Sequence, residues 1–234
     1  MSDYRGFPQA GARSTAVDQG LRAYMIRVYN YMAMGLALTG LAAFATMTSG
    51  LAPVLFAGPM KWVVLLAPLA MVMFLSFRIQ TMSVPAAQLA FWVYAAMVGV
   101  SLTPIAFVYT GASIAKVFFI TAATFGSLSL YGYTTKRDLT GFGAFLFMGL
   151  IGLIIASVVN IFLASSAISF ALSVVGVLVF TGLTVYDTQR IKNMYYQGSD
   201  SVSIGRMAVM GALTLYLDFI NMFVMLLRLF GDRR

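Results

Sequence analysis

Two stretches near the end of the chain decide how it is organised: residues 181–198 read TGLTVYDTQRIKNMYYQG, and residues 211–231 read GALTLYLDFINMFVMLLRLFG. Each stretch places one aspartate, Asp187 or Asp218, inside an apolar segment of helical length. A carboxylate at the centre of a bilayer costs about 2.5–3.5 kcal/mol on insertion scales, so an acidic residue there marks a functional site by default. We therefore interpret the rest of the chain as the structure that holds these two side chains.

The composition is that of an integral membrane protein. Apolar residues make up 61% of the 234 positions and charged residues only 9%, whereas a soluble domain carries roughly a quarter charged residues. The chain has no His and no Cys, which excludes Ser-His-Asp and Cys-His catalysis, zinc sites that need those ligands, and disulfides. The net charge of +8 is expected to set membrane orientation rather than to bind nucleic acid.

Hydropathy predicts an all-α membrane protein with seven transmembrane helices. The spans are Val28–Thr48, Trp62–Phe77, Pro85–Val108, Lys116–Tyr133, Gly141–Val159, Ile168–Arg190 and Arg206–Phe230. No charge occurs between Leu139 and Tyr186, which is too long for one span, so this stretch must fold as a hairpin that turns near Asn160 and Ser165. Residues 1–27 are predicted to be a flexible basic cytoplasmic tail and residues 231–234 a short basic C-terminal tail.

The basic residues predict a cytoplasmic N-terminus. With that orientation, ten Lys and Arg residues flank the cytoplasmic side and five flank the other side, and Arg228, Arg233 and Arg234 are three of the five. If the last segment were re-entrant, thirteen Lys and Arg residues would lie on the cytoplasmic side and two on the other side. The charge rule therefore leaves open whether the segment that carries Asp218 spans the membrane.

Asp218 is the more deeply placed of the two aspartates. It lies twelve residues after Arg206 and twelve before Phe230, about 18 Å from either end of a straight helix, and Asn221 shares its face. Asp187 has Arg190 three residues on, which would make it one half of a weak boundary salt bridge. A protonated aspartate that serves packing alone is the structural alternative for Asp218.

The short connection between segments six and seven makes them antiparallel neighbours, so contact between the carboxyl groups of Asp187 and Asp218 is feasible. Two carboxylates in a dry site cannot both ionise cheaply, so their titrations would couple and the pair would act as a pH sensor. Their oxygens would also serve as transient Ca²⁺ ligands. Arg78 is predicted either to anchor its span at the membrane surface or to latch the pair as a counter-charge.

Two aspartates on neighbouring spans also suggest an intramembrane aspartyl protease. That family carries Gly-x-Gly-Asp, however, where this chain has Leu215-Tyr216-Leu217-Asp218, and its downstream Pro-Ala-Leu motif has no counterpart here. We expect the protein not to be an enzyme and to use no cofactor.

The chain instead resembles a bacterial member of the transmembrane Bax inhibitor motif (Bax inhibitor-1) family. The motifs that carry the resemblance are Val185-Tyr186-Asp187-Thr188-Gln189, Leu215-Tyr216-Leu217-Asp218-Phe219-Ile220-Asn221 and Leu226-Leu227-Arg228-Leu229-Phe230-Gly231. The resemblance implies six helices in two three-helix layers around a central C-terminal helix.

In function, the resemblance implies a pair of aspartates that senses pH and controls a Ca²⁺ leak across the plasma or inner membrane. Asp187 and Asp218 match that pair, and Arg78 stands near the place of the latching arginine. From their spacing, Arg190 and Asn221 are predicted to support the two aspartates. The expected partners are the lipid bilayer, calcium ions and protons. The alternative that the resemblance implies is a regulatory protein that restrains a membrane-bound protease or another envelope complex.

Overall fold

The protein folds as a helical bundle. The computed structural model describes residues 9–197 and 200–234. The helices are α1 (Gln9–Thr48), α2 (Ala52–Leu55), α3 (Met60–Arg78), α4 (Val84–Val108), α5 (Gly111–Thr134), α6 (Thr140–Leu163), α7 (Ser166–Met194) and α8 (Ser201–Phe230), with a 3₁₀ turn at Tyr195–Gln197. Within the described residues, seven of these helices are long and apolar enough to cross a membrane. The all-α prediction with seven spans is confirmed.

Most helices extend beyond the spans that hydropathy predicts, because the apolar middle of a span is easier to recognise than its polar ends. The largest difference is at α1, which begins at Gln9 rather than at Val28. Leu21 and Tyr24 lie ahead of the predicted start and are already buried in the core. The predicted tail therefore contains part of the first helix. The short helix α2 was not predicted at all.

Hydroxyl and carboxylate side chains set where several helices begin. Ser83, Thr110, Ser165 and Asp200 precede α4, α5, α7 and α8, and the side chain of each accepts a hydrogen bond from the backbone N–H three residues later. These bonds satisfy donors that have no partner inside the helix. The hydrogen bonds that Asp200 accepts from Ser203 also lower the pKa of its carboxyl group.

The predicted hairpin lies between α6 and α7. The side-chain amide of Asn160 donates to Ser169 Oγ at 2.8 Å, and its oxygen accepts from the backbone N–H of Ser165 at 3.1 Å. Ala164 ends α6 with a φ of 49°, which lies in the left-handed region that favours glycine. The polar cluster around Asn160 thus closes the turn, as the sequence predicts.

Replacing Ala164 by glycine is expected to stabilise the protein by about 0.5–1 kcal/mol, because glycine adopts a left-handed conformation without the steric cost that alanine pays. SDS-induced unfolding followed by circular dichroism would measure the change. Ala123→Gly, in the lipid-facing interior of α5, is the control and is expected to destabilise by a similar amount. A loss of stability in Ala164→Gly would contradict the expectation.

Helix α8 is the most buried of the seven candidate spans. The arrangement of the other six in two layers around it stays a prediction. Helix α8 packs against α1, α4, α5 and α7, and more than half of the residues in its most apolar stretch are buried. Beyond its end, the backbone N–H of Thr110 donates to Asp232 O at 3.1 Å and that of Arg234 donates to Val108 O at 3.0 Å. Since these bonds join the C-terminal tail to the α4–α5 connection, α8 ends on the opposite side from the α7–α8 connection. The re-entrant alternative is wrong, and the charge count stays at ten against five.

Candidate functional site

The two aspartates of the sequence analysis lie on neighbouring, closely packed helices. Asp187 is on α7 and Asp218 on α8, and only 7% of the first residue and 4% of the second are exposed. Helix α7 continues to Met194, so Asp187 lies about 10 Å inside its end. Asp187 therefore lies well inside α7, as Asp218 lies well inside α8.

The carboxyl groups of Asp187 and Asp218 lie within hydrogen-bonding distance of each other. The second oxygen of Asp218, Oδ2, is buried and has no hydrogen-bond partner among the described residues. Two ionised carboxylates are both acceptors and cannot form a hydrogen bond, whereas one shared proton supplies the donor. A contact of this kind is favoured when one of the two groups is protonated.

Arg190 contacts only the outer member of the pair. Its Nη1 lies 3.9 Å from Asp187 Oδ1, and 63% of the arginine side chain is exposed. A long ion pair with an exposed partner contributes little to stability. Asp218 has no basic partner among the described residues. The boundary salt bridge and the carboxyl pair thus coexist at Asp187.

Replacing Arg190 by glutamine is expected to change the free energy of unfolding by less than about 1 kcal/mol, because an exposed salt bridge is worth little. The comparison is Arg206→Gln. Arg206 donates from Nε to Met82 O at 2.7 Å and from Nη1 to Gln80 O at 2.8 Å, so its loss is expected to cost about 1–2 kcal/mol. Unfolding of both variants in SDS would measure the difference. A larger cost for Arg190→Gln than for Arg206→Gln would contradict this assignment.

Both carboxyl groups line a cavity of about 1000 Å³ between α3, α6, α7 and α8. Polar side chains from α6, α7 and α8 also line this cavity: Thr140, Ser157, Arg190, Thr214 and Asn221. Asn221 donates to Leu217 O at 2.8 Å, which fixes its amide one turn from Asp218. The remaining wall is largely apolar, so Asp187, Asp218 and Arg190 are the charged groups that an ion in this cavity would meet.

The structure does not bring Arg78 to the carboxyl pair. Arg78 is exposed at the end of α3, does not line the cavity, and forms no salt bridge among the described residues. The loop that follows it is instead held by Arg206, through the two backbone bonds given above. The latch role of Arg78 stays a prediction, and the loop-holding role of Arg206 had no signal in the sequence beyond its place at a helix start.

The site does not have the ligand set of a resident metal. Among the described residues, no three or more His, Cys, Asp or Glu side chains lie together. Two carboxylates supply at most four oxygens, whereas Ca²⁺ takes 6–8. A Ca²⁺ ion at these two side chains would therefore complete its coordination with other oxygens, such as those of water.

Comparison with known proteins gives one consistent result. A family model described as "Inhibitor of apoptosis-promoting Bax1" matches residues 21–234, a range that contains both aspartates. An uncharacterized protein of Rickettsia prowazekii (strain Madrid E) is 48% identical over 236 residues, which is 100% of each chain. The inner membrane protein YbhL of Escherichia coli (strain K12) is 48% identical over 229 residues, which is 95% of this chain and 98% of the relative. An uncharacterized protein of Caulobacter vibrioides is 45% identical over 249 residues, again 100% of each chain.

Proposed function

Because this chain belongs to the Bax inhibitor-1 family, we propose that it is a pH-sensitive calcium leak channel in which Asp187 and Asp218 bind the controlling proton and the passing ion. The observation that carries the proposal is the contact between two buried carboxyl groups in the wall of a large cavity. Either aspartate alone would be a costly buried acid. Together they form a pair whose charge changes by one when a single proton leaves.

Loss of the shared proton changes the forces on α7 and α8. Two unit charges 4 Å apart repel by about 4 kcal/mol at an effective dielectric constant of about 20. That energy is comparable to the difference between two conformations of a helix bundle. A divalent cation that enters the cavity replaces the lost proton and cancels both negative charges. Protons and Ca²⁺ therefore compete for the same oxygens.

The proposed location is the inner membrane, with the N-terminus in the cytoplasm. The relative from Escherichia coli carries the name inner membrane protein. The ten basic residues on the N-terminal side of the bundle against five on the other side support this orientation.

Calcium flux in liposomes tests the proposal. The purified protein is reconstituted in vesicles that contain a calcium-sensitive dye. We expect Ca²⁺ to enter at a rate that changes with pH in one titration step, as the binding of a single proton would give. Vesicles without protein give the background. A flux equal to the background at every pH from 5 to 8 would overturn the proposal.

A regulatory function is the second candidate, in which the protein restrains a membrane-bound protease or another envelope complex. The observation that favours it is the length of α1, which begins at Gln9, nineteen residues ahead of the predicted span that starts at Val28. Deletion of residues 1–18 removes none of the residues that the structure describes as buried. It is expected to abolish co-purification with the protease while calcium flux continues. Retained co-purification would argue against this function.

A further inference from the structure

A second cavity, which shares no lining residue with the aspartate site, runs along the outside of the bundle between α1 and α5. Helix α1 packs against α4 and α8, and α5 packs against α7 and α8, so the two helices stand apart over α8. Phe219 of α8 forms the floor of the gap. We call this gap the α1–α5 groove. It has a volume of about 950 Å³ and continues into a further cavity of about 480 Å³ past Gly40 and Phe118.

Small residues on both walls make the groove. Ala33, Ala37 and Gly40 lie on α1, and Ala122 and Gly126 lie on α5. From Arg22 to Gly40 the groove follows eighteen residues of α1, or about 27 Å, which is close to the ~30 Å thickness of the hydrocarbon layer. Its walls carry almost no polar surface. A trough of this shape fits an acyl chain that lies along the helices.

The N-terminal end of the groove is basic. Arg22 lines it, and Lys192 of α7 lies beside it, where its Nζ donates to Tyr133 O at 2.8 Å and sits 5.1 Å from the Tyr133 ring centre. Tyr133 itself lines the groove. Among the described residues, no carboxylate lines it. The mouth therefore presents positive charge to whatever headgroup lies at the membrane surface.

Two hydroxyl groups interrupt the apolar wall about two turns inside this mouth. Tyr29 Oη of α1 and Ser129 Oγ of α5 share a hydrogen bond of 2.5 Å, and Ser129 Oγ is also 2.9 Å from Thr188 Oγ1 of α7. Tyr29 and Ser129 both line the groove. Going inwards, the groove thus offers basic groups, then hydroxyl groups, then an apolar trough. A phospholipid presents its phosphate, its ester groups and its acyl chain in the same order.

We propose that the α1–α5 groove is a binding site for an anionic phospholipid, whose acyl chain lies between α1 and α5 and whose headgroup is held by Arg22 and Lys192. Basic pockets between transmembrane helices recognise acidic headgroups in this way. The site lies outside the aspartate cavity, so the proposal does not depend on calcium transport.

Native mass spectrometry of the detergent-purified protein tests the groove. Phosphatidylglycerol and phosphatidylcholine with identical acyl chains are titrated separately. Gly126→Phe and Gly40→Phe are expected to lose bound phosphatidylglycerol, because a Cβ at either position meets no atom within 4 Å and the ring extends into the trough. Gly152→Phe is the control. Gly152 is exposed on α6, and a Cβ there also meets no atom within 4 Å, so this variant should bind phosphatidylglycerol as the wild type does. Wild-type binding in both groove variants would overturn the site.

The headgroup assignment has its own test. The wild type is expected to prefer phosphatidylglycerol over phosphatidylcholine, and Arg22→Gln is expected to reduce that preference about fivefold, the effect of one basic residue near an anionic headgroup. Arg137→Gln, which removes an exposed charge at the same end of the bundle, is the control and should leave the preference unchanged. Equal binding of the two lipids by the wild type, or an equal loss in both variants, would contradict the role of Arg22.

Discussion

Replacing Gly132 by alanine is expected to destabilise the protein by about 1–3 kcal/mol, since overpacking a close helix contact costs that much. A Cβ at this position would lie 2.4 Å from Val185 O and 3.0 Å from Thr188 Cβ. The nearest obstacle is backbone, which cannot rotate away as a flexible side chain can. Helices α5 and α7 would have to separate, and close approach at small residues is what holds membrane helices together.

The contact also positions the candidate site, because Val185 and Thr188 flank Asp187 on α7. SDS-induced unfolding followed by circular dichroism would measure the loss of stability. Gly126→Ala is the matched control six residues earlier on α5, where an added Cβ meets no atom within 4 Å. It is expected to be neutral or slightly stabilising. Equal stability of the two variants would show that the α5–α7 contact is looser than the structure indicates.

Replacing Asp218 by asparagine is expected to abolish the wild-type pH response of calcium flux. Asparagine has nearly the same shape and no proton to exchange, so the pair can no longer switch between one charge and two. A gate controlled by one proton changes its open population by at most about tenfold per pH unit. The calcium flux of the wild type should therefore change several-fold over the pH range in which the pair loses its proton. Asp218→Asn and Asp187→Asn should each lose the wild-type step in the same dye-filled liposomes, since the remaining aspartate titrates alone and at a different pH.

Asp200→Asn is the control for this experiment. Asp200 is exposed ahead of α8, and asparagine caps a helix as well as aspartate does. Because hydrogen bonds from Ser203 lower the pKa of Asp200, this group stays ionised throughout the tested range and contributes nothing to the pH response. Asp200→Asn should keep the wild-type step. A full pH response in both Asp187→Asn and Asp218→Asn would mean that other groups sense the proton.

Much of the fold could be predicted because lipid imposes a simple rule on a spanning helix. Every span had to be about twenty apolar residues, so the seven segments and the hairpin near Asn160 followed from composition. The family resemblance, drawn from short motifs around Asp187 and Asp218, is confirmed by the match over residues 21–234. Hydropathy does not predict how far each helix extends beyond its apolar span. Leu21 and Tyr24 of α1 are buried although they precede the apolar run.

The site was predictable in its residues and not in its geometry. Asp187 and Asp218 were recognisable because ionisable groups are costly in a bilayer. Their contact depends on how α7 and α8 pack and are rotated against each other, which hydropathy does not give. The role of Arg206 depends on its distance from the backbone carbonyls of Gln80 and Met82, which the sequence does not give. The α1–α5 groove had no signal in the sequence, because it arises from two helices that do not pack together.

The central claim is that Asp187 and Asp218 share one proton, and infrared difference spectroscopy tests it most directly. The carbonyl stretch of a protonated carboxyl group is followed against pH in the wild type and in each Asp→Asn variant. In a chain with seven aspartates and no glutamate, few other groups contribute to this band. Strong coupling predicts that replacing either aspartate moves the titration midpoint of the other by more than about one pH unit. If each aspartate titrates in the variant at the same pH as in the wild type, the two groups are independent and the account is contradicted.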